Sequence, residues 1–207
     1  MTFHVRLWVA CVAAIAIATL VLQTGVDLAA GDGLFGSLWA QARYFTNLTV
    51  LAVALIFGVQ AASGRWLHPG WSAAITVWIV LVGVVYHALL AATHHPEGWD
   101  VLVNISQHTV LPALVLLSWA TIAPRQGLLP RHAVLWVAYP MGYAAYAIIR
   151  GVLDGKFPYF FLDPVKTGVP GVIGYVLGLG ALFLLVGLLF VWLASRLRPR
   201  KTDEIPL

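Results

Sequence analysis

The sequence predicts an all-α protein: a polytopic membrane helix bundle with six transmembrane helices in one domain, residues 1–207. Hydrophobic residues make up 61% of the chain and charged residues 10%, whereas a soluble domain carries about 25% charged residues. Mean hydropathy is +0.89. A membrane-spanning helix needs about 20 mostly apolar residues. Six intervals of 18 or more residues lack Asp, Glu, Lys and Arg, and they are Leu7–Val26, Tyr44–Gly64, Trp66–Pro96, Val101–Pro124, His132–Ile149 and Thr167–Ser195.

The first three spans are predicted at residues 7–24, 43–62 and 71–93. The first consists mainly of Ala, Val, Ile and Leu, and its length favours a retained span over a cleaved signal peptide. The segment Gly25–Gln41 holds four glycines and two aspartates, which is typical of an exposed, flexible connection. Gly64 and Arg65 end the second span. A cluster of tryptophans marks the start of the third, as an aromatic belt at a membrane interface would.

The last three spans are predicted at residues 104–122, 132–151 and 171–193. Pro112 predicts a kink in the fourth span, because a proline frees a backbone carbonyl. The fifth span carries a polar stripe at helical spacing, which consists of Tyr139, Tyr143, Tyr146 and Arg150. The segment Asp154–Pro170 is rich in proline and aromatic residues, so we expect it to pack over the mouth of the bundle.

The distribution of basic residues predicts the orientation of the bundle. With six spans, one side holds both termini, the loop at Arg65 and the loop of residues 125–131, and that side carries eight of the twelve Lys and Arg residues. By the positive-inside rule both termini are cytoplasmic. A basic rim suits anionic headgroups, so membrane lipids are expected partners. Nucleic-acid binding is excluded, because no basic stripe lies on a soluble element.

A polar stripe is also predicted where the second span begins. On a helix, Arg43, Thr46, Asn47 and Val50 lie at positions i, i+3, i+4 and i+7 and share one face. Polar side chains at membrane depth are costly, so they face the bundle interior or a wet cavity. Spans two and four run in the same direction. We therefore expect Thr46 and His108 to lie at the same depth, about one helical turn below the outer surface.

A hydroxyl and an imidazole at one depth can form a nucleophile and its base. A threonine hydroxyl is a poor nucleophile until a base takes its proton, which neutral histidine can do near pH 7. Asp163 is a candidate to orient the imidazole. In the structural alternative, Thr46 bonds a carbonyl of its own helix and His108 is a structural histidine. The candidates for substrate contact or oxyanion stabilisation are Arg43, Asn47, Asn104, Tyr143, Tyr146 and Arg150.

Three segments carry a family resemblance: YFTNLT at residues 44–49, HTVLP at 108–112 and GKFPYFFLDP at 155–164. They resemble motifs of the androgen-induced protein family, and the order of motifs and spans is similar over nearly the whole chain. Animal members are integral membrane hydrolases that cleave fatty acid esters of hydroxy fatty acids with a threonine and a histidine. The resemblance implies Thr46 as nucleophile, His108 as base and a lipid ester as substrate. The compact loops look more like bacterial members, which implies a bacterial inner (plasma) membrane.

A lipid ester requires a mostly apolar cavity, which we expect between spans two, four and five, with Tyr143 and Tyr146 near its reacting end. Two other classes of function stay open. One is a non-catalytic lipid-binding or transport module, although no inverted repeat is evident. The other is a haem- or metal-binding protein, since imidazole suits zinc, copper and haem iron. No two spans carry paired histidines at one depth, so we predict neither metal nor cofactor. The residues considered for a metal are His87, His94, His95, His108, Glu97 and Asp100.

Overall fold

A computed structural model describes residues 1–197, and within them six helical spans are long and apolar enough to cross a membrane. The predicted fold class, an all-α bundle of six spans, is confirmed. Three basic residues of the predicted cytoplasmic tail, Arg198, Arg200 and Lys201, lie outside the described residues. The helices are α1 (Phe3–Ala29), α2 (Leu34–Gln41), α3 (Phe45–Ser63), α4 (Pro69–Val85), α5 (Trp99–Ile105), α6 (Leu111–Thr121), α7 (Pro130–Asp154) and α8 (Pro164–Arg196).

Two of the six spans contain a π-helical turn. The third span is α4 continued by the π turn Tyr86–Leu90, and the fourth is α5 and α6 joined by the π turn Ser106–Val110. A 3-10 turn, Phe160–Leu162, precedes α8, and α8 is kinked at Gly168. Each predicted span exists: the first, fifth and sixth extend past both ends of their charge-free intervals, whereas the second and third lie within theirs.

The third span forms the centre of the bundle. It is the most buried of the six, and α4 packs against α3, α6, α7 and α8. Ile75 and Ile79 of α4 and Val50 and Val53 of α3 are fully buried. The opposite faces of the outer spans expose large aliphatic side chains, which is the arrangement that a bilayer requires of its contact surface. These lipid-facing residues include Ile17, Val21, Leu55, Leu177, Leu185 and Leu189.

The segment between the first two long spans is not the flexible loop that its glycines predict. Helix α1 runs on to Ala29, and α2 forms a second short helix whose inner face is polar and buried at Ser37 and Gln41. The Ser37 hydroxyl and the Gln41 amide both donate to Asp27 of α1, at 2.6 and 2.9 Å. These bonds fix α2 against α1. Its outer face exposes Leu34, Phe35, Leu38 and Trp39.

The helices bring two groups of termini together at opposite ends of the bundle. The Arg6 end holds the start of α1, the end of α3, the start of α4, the end of α6 and the start of α7. There the Arg6 guanidinium donates to the Ala61 and Ala62 carbonyls. The α2 end holds α2, the start of α3, the end of the third span, the start of α5 and the end of α7. The predicted polar residues gather at the α2 end.

The segment after α7 packs over the α2 end, as expected. Phe161 and Leu162 are 4% and 2% exposed. Phe157 lies against the backbone of Gly151 on α7, where an added Cβ would come within 2.4 Å of the phenyl ring. Only glycine leaves room for this contact, so Gly151 allows the aromatic segment to seat on the bundle.

Candidate active site

Thr46 and His108 come together at the α2 end. Thr46 lies in the first turn of α3, is 9% exposed, and its Oγ1 lies 3.4 Å from His108 Nε2. This separation is slightly longer than the roughly 2.6–3.2 Å of a formed nucleophile–base hydrogen bond, and such bonds are commonly looser without substrate. The equal depth predicted for these two residues therefore agrees with their placement.

The second nitrogen of His108 fixes which tautomer the imidazole adopts. His108 Nδ1 lies 3.1 Å from the Asn104 carbonyl oxygen, one turn earlier on the same span. A carbonyl oxygen only accepts hydrogen bonds, so Nδ1 carries the proton in this contact. In the neutral ring Nε2 then holds a free lone pair directed at Thr46. This is the protonation state that a general base needs.

The backbone around His108 is a π-helical turn packed closely on α4. His108 lies within Ser106–Val110, and such turns frequently occur at functional sites. A Cβ added to Gly83 of α4 would meet the His108 carbonyl oxygen at 2.8 Å and the Pro112 ring at 3.3 Å. Gly83 therefore lets the third and fourth spans approach closely enough to bring the imidazole next to Thr46.

Tyr86 holds the imidazole ring from the third span. Its ring stacks on His108 with centroids 3.8 Å apart and an interplanar angle of 18°. The Tyr86 hydroxyl lies 3.2 Å from His94 Nδ1, and this contact helps to hold the tyrosine ring in place. Stacking and the Asn104 bond together leave His108 little freedom to rotate away from Thr46.

A narrow apolar cavity of about 70 Å³ ends at the Thr46–His108 pair. Its walls come from spans two to six and from the aromatic segment. More spans therefore line the cavity than the three that were predicted. Tyr143 lines it, as expected, but Tyr146 does not. The deeper wall consists of Leu81, Val82, Val85, Met141, Ala144, Val176, Leu179 and Phe183.

A second, more polar cavity borders the same pair. It has a volume of about 570 Å³ and is lined mainly by α1, α2, α5 and the start of α3. We call it the vestibule. Thr46, Tyr86, Leu90, His108 and Tyr159 line both cavities. The hydroxyl and imidazole therefore lie at the boundary between an apolar compartment and a polar one.

The start of α3 adds a partial positive charge next to Thr46. The helix begins at Phe45, and the side chain of Tyr44 does not cap it. The first N–H groups of a helix have no partner within the helix, and the helix dipole makes this end attractive to negative charge. Tyr159 lies beside the same turn. Burial raises the pKa of its phenol, and neighbouring Thr46 partly offsets that shift.

Arg43 does not share the face of Thr46, because α3 begins two residues after it. Its guanidinium bonds Asp154 at 2.5 and 3.0 Å and also donates to the Lys156 carbonyl. The hydrogen bond to Asp154 raises the pKa of Arg43. Arg43 lines neither cavity, so its contacts are structural here, and its contact with substrate or an oxyanion stays a prediction.

Arg150 and the tyrosines of α7 also have structural contacts. Arg150 is 5% exposed, stacks on the Trp39 ring at 3.9 Å and donates to the Trp39 carbonyl at 2.7 Å. Tyr146 donates to the Ala42 carbonyl and Tyr143 to the Arg43 carbonyl. Arg150 and Tyr146 therefore fasten α2 and the turn before α3, and their contact with substrate stays a prediction. Tyr143 both fastens this turn and lines the apolar cavity.

The remaining predicted residues divide between the vestibule and the loop. Asn47 and Asn104 line the vestibule, and Asn47 Oδ1 accepts from Gln107 Nε2 at 2.8 Å. The side-chain oxygen of Asn104 is buried and has no hydrogen-bond partner. Asp163 instead caps α8 by accepting from the Val165 N–H at 2.9 Å. Its predicted role in orienting His108 is wrong, since the Asn104 carbonyl occupies that position.

Sequence reasoning missed Tyr86, Tyr159, Gln107 and Gly83. Only Tyr159 gave a signal, because it lies within the GKFPYFFLDP segment quoted above. The metal hypothesis finds no ligand set: among residues 1–197, no three His, Cys, Asp or Glu side chains lie together as a metal site requires. His87, for example, bonds Thr109 Oγ1 at 3.1 Å.

Comparison of the chain with protein-family models, curated proteins and solved structures found no match. The site geometry and the motif resemblance are therefore the two grounds for assigning a function.

Proposed function

We propose that the protein is an integral membrane hydrolase of lipid esters, with Thr46 as nucleophile and His108 as base. The observation that carries the proposal is the 3.4 Å contact between Thr46 Oγ1 and His108 Nε2 at the boundary of the two cavities. An ester of a fatty acid has an apolar acyl chain and a polar reacting group. The apolar cavity suits the chain, and the boundary suits the carbonyl.

In the first half-reaction His108 Nε2 takes the Thr46 hydroxyl proton while Oγ1 bonds the ester carbonyl carbon. The carbonyl oxygen becomes an oxyanion, which the N–H groups at the start of α3 and the Tyr159 hydroxyl beside Thr46 are placed to stabilise. The intermediate collapses to an acyl-threonine. The protonated imidazole gives its proton to the departing alkoxide, which leaves as an alcohol through the vestibule.

In the second half-reaction water replaces the alcohol. His108 takes a proton from water, the hydroxide attacks the acyl-threonine, and the imidazole returns the proton to Thr46 Oγ1. A free fatty acid is released. The vestibule supplies the water, whereas the apolar cavity keeps the acyl chain from it.

The resemblance to the androgen-induced protein family supports this assignment, because Thr46 and His108 lie in two of the three similar motifs. We place the protein in the bacterial inner membrane with both termini cytoplasmic, which puts the site near the outer surface. Reporter fusions at Gly98 and after Leu207 should report opposite sides of the membrane. Reporters on the same side would overturn this orientation.

Labelling with a fluorophosphonate probe tests the nucleophile directly. Purified protein in detergent should form an adduct that mass spectrometry maps to Thr46, and Thr46→Ala and His108→Ala should abolish it. Thr49→Ala is the matched control. Thr49 lies on the same helix, but its hydroxyl is committed to the Phe45 carbonyl at 2.7 Å, so labelling should persist. Binding of a lipid ester without adduct or turnover would instead indicate a non-catalytic lipid-binding module.

A further inference from the structure

Helix α2 has the reverse polarity of a helix that faces water. Its inner face is polar and buried, since Ser37 and Gln41 both donate to Asp27 of α1. Its outer face carries Phe35 and Trp39, whose side chains are 88% and 62% exposed. The helix itself contains no Asp, Glu, Lys or Arg. A surface helix turns its apolar face away from water, so the outer face of α2 requires apolar surroundings.

The contacts of α2 with α7 fix its level in the bundle. Arg150 Nη2 donates to the Trp39 carbonyl at 2.7 Å, and the guanidinium lies 3.9 Å from the centroid of the Trp39 ring. Arg150 lies one turn before α7 ends at Asp154. Val152 and Leu153, in this last turn, are apolar and exposed. Trp39 is therefore at about the level of side chains that belong to the lipid-facing surface of α7.

Exposed apolar side chains flank α2 on both of the spans that it contacts. On α1, Leu28 is exposed one residue after Asp27, and Val21 is exposed about two turns further into the bundle. On α7, Ile149 is exposed one residue before Arg150. The outer face of α2 thus continues the apolar surface of its neighbours. Tryptophan, as at position 39, is enriched where such a surface meets the membrane–water interface.

We propose that α2 is an interfacial helix, whose outer face lies against the lipids of the bilayer at the α2 end. The partner of this surface is lipid, not a second protein chain, because the surface is level with the lipid-facing ends of α1 and α7. Ala40 and Gln41 of the same helix line the vestibule, so α2 separates that cavity from lipid. The Asn47 amide donates to the Gln41 carbonyl at 3.3 Å, which ties this helix to the residue after Thr46.

Spin labels in nanodiscs of phosphatidylcholine test the position of α2 in the full-length protein. Cys11, the only cysteine, is replaced by alanine, and single cysteines are introduced for labelling. Relaxation by oxygen and by a water-soluble nickel chelate then gives the depth of each label. The Phe35→Cys label is expected about 5–10 Å into the boundary between headgroups and acyl chains. Glu97→Cys, in an exposed turn at the same end, is the aqueous control, and Leu185→Cys on α8 is the control within the acyl chains.

Two results would overturn the proposal. A Phe35 label as accessible to the nickel chelate as the Glu97 label would place the outer face of α2 in water. A Phe35 label shielded from both reagents would show that protein covers this face. Leu38→Cys repeats the measurement at a second exposed position, so that a distortion caused by one label does not decide the result. No turnover is measured, so the outcome is independent of the proposed hydrolase function.

Discussion

The two ends of the bundle use the same residue types in different ways. At the Arg6 end, His68 Nδ1 accepts from the Gly70 N–H and His132 Nδ1 from the Leu129 N–H, so both imidazoles close helix starts. At the α2 end, His108 Nδ1 bonds the Asn104 carbonyl in mid-span and leaves Nε2 facing a hydroxyl. Because Nδ1 of His68 and of His132 accepts, the Nε2 of each neutral ring carries the proton, whereas His108 Nδ1 donates and leaves the Nε2 lone pair free to act as a base.

The largest expected difference between the ends lies in turnover. Thr46→Ala and His108→Ala should each lower ester kcat by about 10³-fold or more, and the double variant should lose little beyond either, because catalytic groups that act as a unit are not additive. His68→Ala and His132→Ala are the matched changes at the Arg6 end and should retain turnover. Steady-state assays of purified variants with monodisperse elution profiles provide the measurement.

Retained activity in Thr46→Ala would remove the nucleophile. Equal losses in His68→Ala and His108→Ala would show that histidines at both ends support folding rather than chemistry.

A glycine pair tests how precisely the α2 end positions His108. Gly83→Ala adds a methyl group against the His108 carbonyl, whereas Gly58→Ala on α3 adds one where no atom lies within 4 Å. A displacement of about 1 Å can cost roughly 100-fold in rate, so Gly83→Ala should lower kcat by about 10- to 100-fold. Gly58→Ala should leave it unchanged. Similar rates in the two variants would show that the close approach of the third and fourth spans is not needed.

The six spans were predictable because charge-free intervals mark them, and the meeting of Thr46 and His108 followed from equal depth on parallel spans. Arg43 was misplaced because α3 starts at Phe45, so the helical spacing that joined Arg43 to Thr46 does not apply. The π turn at His108 has no periodicity of its own in the sequence. Tyr159 lies at the site because its segment is seated by the packing of Phe157 on Gly151. This is a tertiary contact, and the local sequence pattern does not predict it.

A smaller effect is expected from arginines that bond backbone carbonyls at each end. Arg43→Gln removes the ion pair with Asp154 and loosens the turn before Thr46, so kcat should fall by about three- to tenfold. Arg125 donates to the Trp119 carbonyl at the Arg6 end, and Arg125→Gln should leave kcat unchanged. Assays on the same ester preparation would compare them. A fall in both, or in neither, would contradict a specific role for the Arg43 contact.

The smallest expected effect concerns stability alone. Arg6→Gln removes a cation that bonds two carbonyls at the end of α3, which should lower the free energy of unfolding by about 0.3–1 kcal/mol and leave turnover unchanged. Thermal unfolding in detergent, followed alongside the ester assay, measures both quantities. A clear loss of turnover would mean that the Arg6 end is coupled to the site.

The Arg43–Asp154 pair joins residues 111 positions apart in the chain. A ribosome adding about 5–20 residues per second therefore separates the synthesis of the two partners by roughly 6–22 s. During that interval the second span can be inserted, but the turn that precedes Thr46 has no anchor on α7. We expect nascent chains truncated before the fifth span to lack the assembled Thr46 environment. The site would then become able to bind and react only late in biogenesis, after most of the protein has entered the bilayer.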